Sequence, residues 1–373
     1  MLYREKMRRP LASEVGITLV EMLVAMVVGL ILAGGIYQVF VGSSESYRMN
    51  TQLARIQENG RFAMQILRQE IRGAGYLGCA QDAGQFFSTL NSGTTVQDFI
   101  YSYGNAIQGF ESTKNDAYEW QNGTGTFGIN ELGAATGIAV ANAAERPLMG
   151  SDIVIIRGVS NDSNLVLDER MPDTSAVLKI AGDEAALNKG GGDILLVTDC
   201  QGATLFQSTG YKFSTGEHHI EHNTGGSVSP GNSQKQLGHT YEEGAEIFFI
   251  RTVIYYLRNN PAGQPALYMK ENFNEAVEIV DGVESMQVRY GEDTNGDGGV
   301  DVYVDGNGVT NWANVRSVRI GLLLRSPAEI ARGPIDNNAY DVSGDGADDF
   351  DPVGDRRMRL VMSGTIGLRN RLR

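Results

Sequence analysis

The sequence predicts an α+β fold. A long N-terminal helix, membrane-spanning in its first half and amphipathic in its second, packs on a globular head of mostly antiparallel β-sheet. Three observations carry that expectation. An apolar run fills residues 17–41 with one ionisable side chain, Glu21. Apolar or small residues then recur at spacings of three and four from Leu53 to Ile71. The rest of the 373 residues holds short β-rich runs between Gly, Asn, Asp and Ser clusters. With 47 Gly and only 9 Pro, the composition fits a protein of many tight turns.

The N-terminus differs from the rest of the chain. Residues 1–16 carry Arg4, Lys6, Arg8 and Arg9 against Glu5 and Glu14. The 25 residues after them make about 37 Å of helix, enough to cross a hydrocarbon core of about 30 Å. Positive charge before the span places the N-terminus in the cytoplasm and the bulk of the chain outside. A secretory signal peptide has a shorter apolar stretch with small residues after it. Here the small residue, Gly16, precedes the run. Glu21 is costly inside a bilayer and calls for a partner. An α-amino group at Ile17, freed by cutting after Gly16, would be one, offered by a neighbouring copy in a helix bundle.

The helix is expected to continue to about Arg72. Leu53, Ile56, Gly60, Ala63, Leu67 and Ile71 make its stripe, Arg55, Arg61, Arg68, Glu58 and Glu70 lie mostly off it, and Gly73 and Gly75 stop it. Loosening is expected near Gly29 or Gly34 and Gly35. The chain then divides into four segments: a leader at 1–16, a membrane half at 17–41, an amphipathic half at 42–75, and a head at 76–373. Strands are expected near 152–156, 176–180, 193–198, 247–257, 266–269, 285–290 and 315–324. Residues 103–147 and 207–244 read as long loops or insertions.

The segment Gly16-Ile17-Thr18-Leu19-Val20-Glu21 resembles the prepilin cleavage motif of type IV pilins and type II secretion pseudopilins. The resemblance implies that a prepilin peptidase cuts between Gly16 and Ile17 and N-methylates Ile17, and that Glu21 acts in assembly. One departure is Gln38, where many major pilins have a kinking Pro. RQEIRGAGYLGC at 68–79, GDILLVTDC at 192–200, the stretch 246–290, SVRIGLLLRSP at 317–327 and LRNR at 368–371 together resemble PilW-type minor pilins. That likeness implies a pilin-like fold and a subunit that primes type IV pilus assembly and enters the fibre at or near its tip. Implied partners are other minor pilins and the major pilin, met through the N-terminal helix, a tip adhesin, the prepilin peptidase and the inner membrane of a Gram-negative cell. Implied outputs are twitching motility and cell adhesion. J-type pseudopilins of type II secretion are the sibling reading.

Other features weigh on function. A net charge of −14 argues against direct contact with nucleic acid. Cys79 and Cys200 suffice for one disulfide in an oxidising compartment. Such a bridge would close a loop of about 120 residues. Asp293, Asn295, Asp297 and Asp301, with Gly298 between, follow the first nine positions of a Ca²⁺ loop. Asp341, Ser343, Asp345 and Asp349 repeat the pattern. Position twelve is Val304 or Pro352 instead of a bidentate Glu, so calcium would bind with a different geometry. His218, Glu221 and His222 spell an inverted zinc-protease signature, and a membrane-anchored periplasmic metal-dependent hydrolase is the reading from another class. That motif works on a helix, and its flanks have loop composition. No catalytic set emerges, and the chain reads as a structural protein, not an enzyme.

Overall fold

The computed structural model describes residues 16–80, 86–113, 119–123, 125–172, 176–182, 184–214, 216–225, 228–331 and 333–371. The leader expected at 1–16 lies outside them except for Gly16. The chain divides into two compact units, residues 1–52 and residues 53–373. That boundary falls inside the expected amphipathic segment, where the helix stripe begins to bury.

Helix α1 runs Leu19–Gly73 without interruption. The loosening expected at Gly29 or Gly34 and Gly35 does not occur. Each Gly costs about 1 kcal/mol of helix propensity, and three spread along a strongly apolar run do not outweigh the surrounding Leu, Val, Ile and Ala. In the first unit every apolar side chain from Ile17 to Phe40 faces outward, Ile17 at 81% and Phe40 at 70% exposure. This unit contains a helix long and apolar enough to cross a membrane. In the second unit Ile56, Gly60, Ala63, Leu67 and Ile71 of the expected stripe are buried, joined by Met64, while Leu53 is half-buried. Gly75, at φ +68°, follows the helix end, a left-handed position that suits glycine.

Among the described residues, the head of the second unit has seventeen strands and two short helices. In chain order these are β1 (Phe86–Ser88), α2 (Thr95–Ile100), β2 (Ile107–Ser112), β3 (Glu119–Gln121), β4 (Thr126–Gly128), α3 (Ile129–Thr136), β5 (Ile153–Leu167), β6 (Val177–Ala181), β7 (Ile194–Thr198), β8 (Ala203–Gln207), β9 (Gly210–Ser214), β10 (Glu217–Glu221), β11 (Glu246–Asn259), β12 (Pro265–Glu271), β13 (Val277–Asp281), β14 (Val283–Glu292), β15 (Val302–Val304), β16 (Val315–Arg325) and β17 (Arg359–Gly367). The fold is α+β. All seven expected strands are present. The regions 103–147 and 207–244 are not simple loops: the first contains β2, β3, β4 and α3, the second β9 and β10.

The larger sheet runs β1-β8-β7-β11-β5-β2-β3-β4, with β12 and β13 continuing from β11 and β6, β10 and β9 from β5. Strand β11 is its spine. One edge meets β7 through 246–249 and β12 through 253–259, while the other meets β5. Pairing is antiparallel except for β1 on β8. The smaller sheet, β15-β14-β16-β17, is fully antiparallel. The helix stripe packs into one core with residues of both sheets, among them Val154, Val253, Val288, Ile320, Leu322 and Ile366. At Gly60 helix and small sheet approach closely, since a Cβ there would collide with Met362 Sδ.

Candidate assembly site

At the start of α1, Thr18 and Glu21 form a capping box. The Thr18 backbone N–H donates to Glu21 Oε2 at 3.0 Å, and the Glu21 N–H donates to Thr18 Oγ1 at 3.2 Å. Two otherwise unsatisfied helix-start donors are thereby paired. The Thr18 hydroxyl also donates to Glu21 Oε2, at 3.1 Å. The spacing Thr-x-x-Glu before an apolar run is the sequence signature of this cap. Treating Glu21 only as a charge in need of a partner overlooks it. A carboxylate has about four acceptor positions, so the cap leaves Glu21 able to receive a neighbour's ammonium. Gly16 and Ile17 stand just before the helix, both exposed.

Cys79 and Cys200 are joined in a disulfide, Cα to Cα 4.6 Å. The bridge ties the chain just after α1 to the end of β7. Beside it, Thr198 Oγ1 donates to the Leu77 carbonyl at 2.6 Å. The long helix and the large sheet are thus pinned at the point where the chain leaves one for the other.

The two acidic loops flank the small sheet. In the first, Asp293 accepts from the N–H groups of Gly296 and Gly298 and from the Arg316 guanidinium at 3.1 Å. Asp301 accepts from Thr294 and from Asn295. Asp297 accepts from the Gly299 N–H at 2.7 Å. In the second, Asp341 accepts from the N–H groups of Gly344, Asp345 and Gly346, Asp349 from those of Val342 and Ser343, and Asp345 from Arg289. As they stand, their carboxylates face their own backbone and an arginine. Among the described residues no group of three or more His, Cys, Asp or Glu is placed to hold a metal ion. One feature favours an occupant in the second loop: Ser343 Oγ is buried without a hydrogen-bond partner.

The His218, Glu221 and His222 set is not assembled into a metal centre. His218 and Glu221 lie on strand β10, not in the expected loop, and His222 just past its end, so neighbouring side chains point to opposite faces along the strand. His218 stacks on Tyr211, Glu221 accepts from Lys212 Nζ at 2.6 Å, and His222 is buried edge-on to Phe206. Burial lowers the His222 pKa to about 4.

Two polar clusters in the head were not foreseen. Glu111 and Asp152 form a carboxyl pair where β2 meets the start of β5. Burial first, then the neighbouring Asp152 and Asp305 carboxylates, raise Glu111 to about 10, and burial raises Asp152 to about 7. Asp152 also accepts from the N–H groups of Ser112 and Val288, at 3.0 and 2.8 Å. Arg359, fully buried on β17, pairs with Glu284, Asp336 and Asp355 at 2.7, 3.1 and 2.7 Å. These bonds outweigh the cost of burial and hold the guanidinium charged. Neither cluster has a local sequence signature, because its members meet only across strands and loops.

The family model PilW, type IV pilus-assembly protein W, matches residues 254–370. That stretch covers the last six residues of β11, the strands β12 to β17 and both acidic loops. No curated protein matches the chain. Among solved structures, a type IV-like pilin TTHA1219 from Thermus thermophilus matches at 15% identity, covering 49% of this chain and 85% of that one, with a TM-score of 0.21. The PilW match lies wholly within the head and spans about a third of the chain.

Proposed function

We propose that the chain is a minor pilin that primes type IV pilus assembly and is built into the fibre at or near its tip. The observation that carries this reading is the fully outward apolar face of residues 17–40 on a chain whose head matches the PilW family. Such a helix needs lipid or other helices around it. On this reading the basic leader holds the chain in the inner membrane with the head in the periplasm. The prepilin peptidase cuts after Gly16 and methylates Ile17. The helix then leaves the bilayer for the fibre core and exchanges lipid contacts for helix contacts with other minor pilins and the major pilin. Glu21 sets the axial register by meeting a neighbour's Ile17 amine, and the head supplies side and tip contacts, including those to an adhesin. Deleting the gene in the cell that encodes it is expected to lower surface piliation, with recovery on re-expression. Unchanged piliation, with intact type II secretion equally unaffected, would remove the priming role.

Calcium belongs to the same proposal as an occupant of the acidic loops, with the orphaned Ser343 oxygen favouring the loop that contains Asp341, Ser343, Asp345 and Asp349. Hard oxygen donors on a flexible loop suit a weak extracellular site. Millimolar Ca²⁺ is expected to raise Tm by a few degrees, reversibly with a chelator, and Asp341→Asn to cancel the rise. An unchanged Tm would leave Arg289 and Arg316 as the cations that close these loops.

A further inference from the structure

Among the described residues, six strands are paired on one side only: β1, β4, β9, β13, β15 and β17. Five of them have three or five residues. The sixth, β17, has nine and contains no Pro. An open edge of that length is a template for another strand, and proteins usually blunt such edges by shortness, Pro or charge. Beside this edge a groove of about 810 Å³ runs between the helix and residues 360–363 of β17.

The helix wall of the groove is basic. Arg61 and Arg68 line it with Gln57 and Gln65. Both arginines are exposed, and neither is in an ion pair or side-chain hydrogen bond among the described residues. This is unusual in a chain of net charge −14, most of whose other head arginines are committed, Arg251 to Glu70 and Glu271, Arg325 to Glu284, and Arg359 to three carboxylates. Arg68 also borders the neighbouring cleft that holds Arg72 and Arg369, so positive charge continues along the flank of the helix.

We propose that the free edge of β17, with Arg61 and Arg68, is a docking site for an extended acidic segment of a neighbouring protein, which adds as a fifth strand to the small sheet. Main-chain hydrogen bonds to β17 supply affinity, and side chains on alternate residues supply specificity. Arg61 and Arg68 are seven residues apart, about 10 Å along the helix. Acidic side chains two to four residues apart on a strand, about 7–14 Å, span the same distance. A second copy of this chain is a poor occupant. Pairing β17 with β17 would bring two sets of Arg61 and Arg68 together, and like charges at an interface disfavour the wrong partner. The proposal rests on the assembly reading only for the source of the strand, since edge and arginines exist whatever the fibre role.

The test uses the full chain in detergent micelles and a fluorescein-labelled nonapeptide of alternating Glu and Val, with alternating Lys and Val as the control. The Glu peptide is expected to bind at least tenfold more tightly. It should slow amide hydrogen exchange across residues 359–367. The double variant Arg61→Glu, Arg68→Glu should weaken it at least tenfold with Tm unchanged. Should that variant fail to fold, Arg61→Gln with Arg68→Gln gives the same reading at smaller amplitude. Equal binding of the two peptides, binding without added protection in 359–367, or homodimers cross-linked through residue 363 would each overturn the proposal. None of these results bears on whether the chain enters pili, so the two readings can fail separately.

Discussion

Glu21 has two physical roles that a single substitution to Ala would confound. It is the third helical residue of a capping box with Thr18, and it is the lone carboxylate in an apolar span. Gln supports the capping box but carries no charge. If register depends on the charge, Glu21→Gln and Glu21→Ala should both lose most fibre incorporation, while leader removal continues in each. If only the cap matters, Glu21→Gln should assemble normally, and quantitative immunoblots of sheared pili would distinguish these outcomes.

The Glu111 and Asp152 pair makes a pH prediction. Both carboxyls bind their proton more tightly in the folded chain than in the unfolded one. Their contribution is therefore intact below the unfolded carboxyl range near pH 4 and is lost as pH rises toward about 7 for Asp152 and about 10 for Glu111. Glu111→Gln keeps a donor beside Asp152 and removes the titration of Glu111. Denaturant melts should find the variant more stable than wild type by about 1 kcal/mol at pH 8 and equal to it at pH 4. A gain that does not vary with pH would contradict the linkage. Chemistry of this kind was not legible in the sequence, since forty residues separate two ordinary carboxylates and only the sheet brings them together.

Among the elements, long periodic signals were readable and short or mixed ones were not. The stripe from Ile56 to Ile71 stood out because one helix face repeats it six times. Strand β7 is nearly a continuous apolar run, and β16 carries one over Leu322–Leu324. By contrast, β17 contains Ser363, Gly364 and Thr365, with 363 and 365 exposed, so its alternation is faint. Strand β10 consists of charged, His and Ile residues and is held by pairing with β6 and β9. Tertiary pairing made these strands, and local propensity did not. The pairing of Cys79 with Cys200 was legible because only two cysteines exist. The bridge spans 121 residues, worth about 4–5 kcal/mol in the chain-entropy account. Cys79→Ser is expected to lose about 2–5 kcal/mol of stability, read as a lower denaturation midpoint. A midpoint equal to wild type would assign the helix exit entirely to core packing.

At the scale of the whole molecule, the chain divides its work between an apolar helix unit and a β-rich unit that buries its own core. The fold class could be read from composition and period. The resemblance to PilW-type pilins rests on a six-residue motif joined to scattered head fragments, and the family match over 254–370 falls on the head. The spacing of the acidic loops could be read, but their arginine partners were invisible, because Arg289 and Arg316 arrive from strands of the small sheet. The central claim is that this chain sheds its basic leader and enters a fibre by its apolar helix. Mass spectrometry of the protein recovered from sheared, washed pili tests it most directly. The account predicts a chain that begins at N-methylated Ile17 and is present in the fibre fraction. A chain that keeps residues 1–16, or that stays wholly in the membrane fraction while pili form, would contradict it.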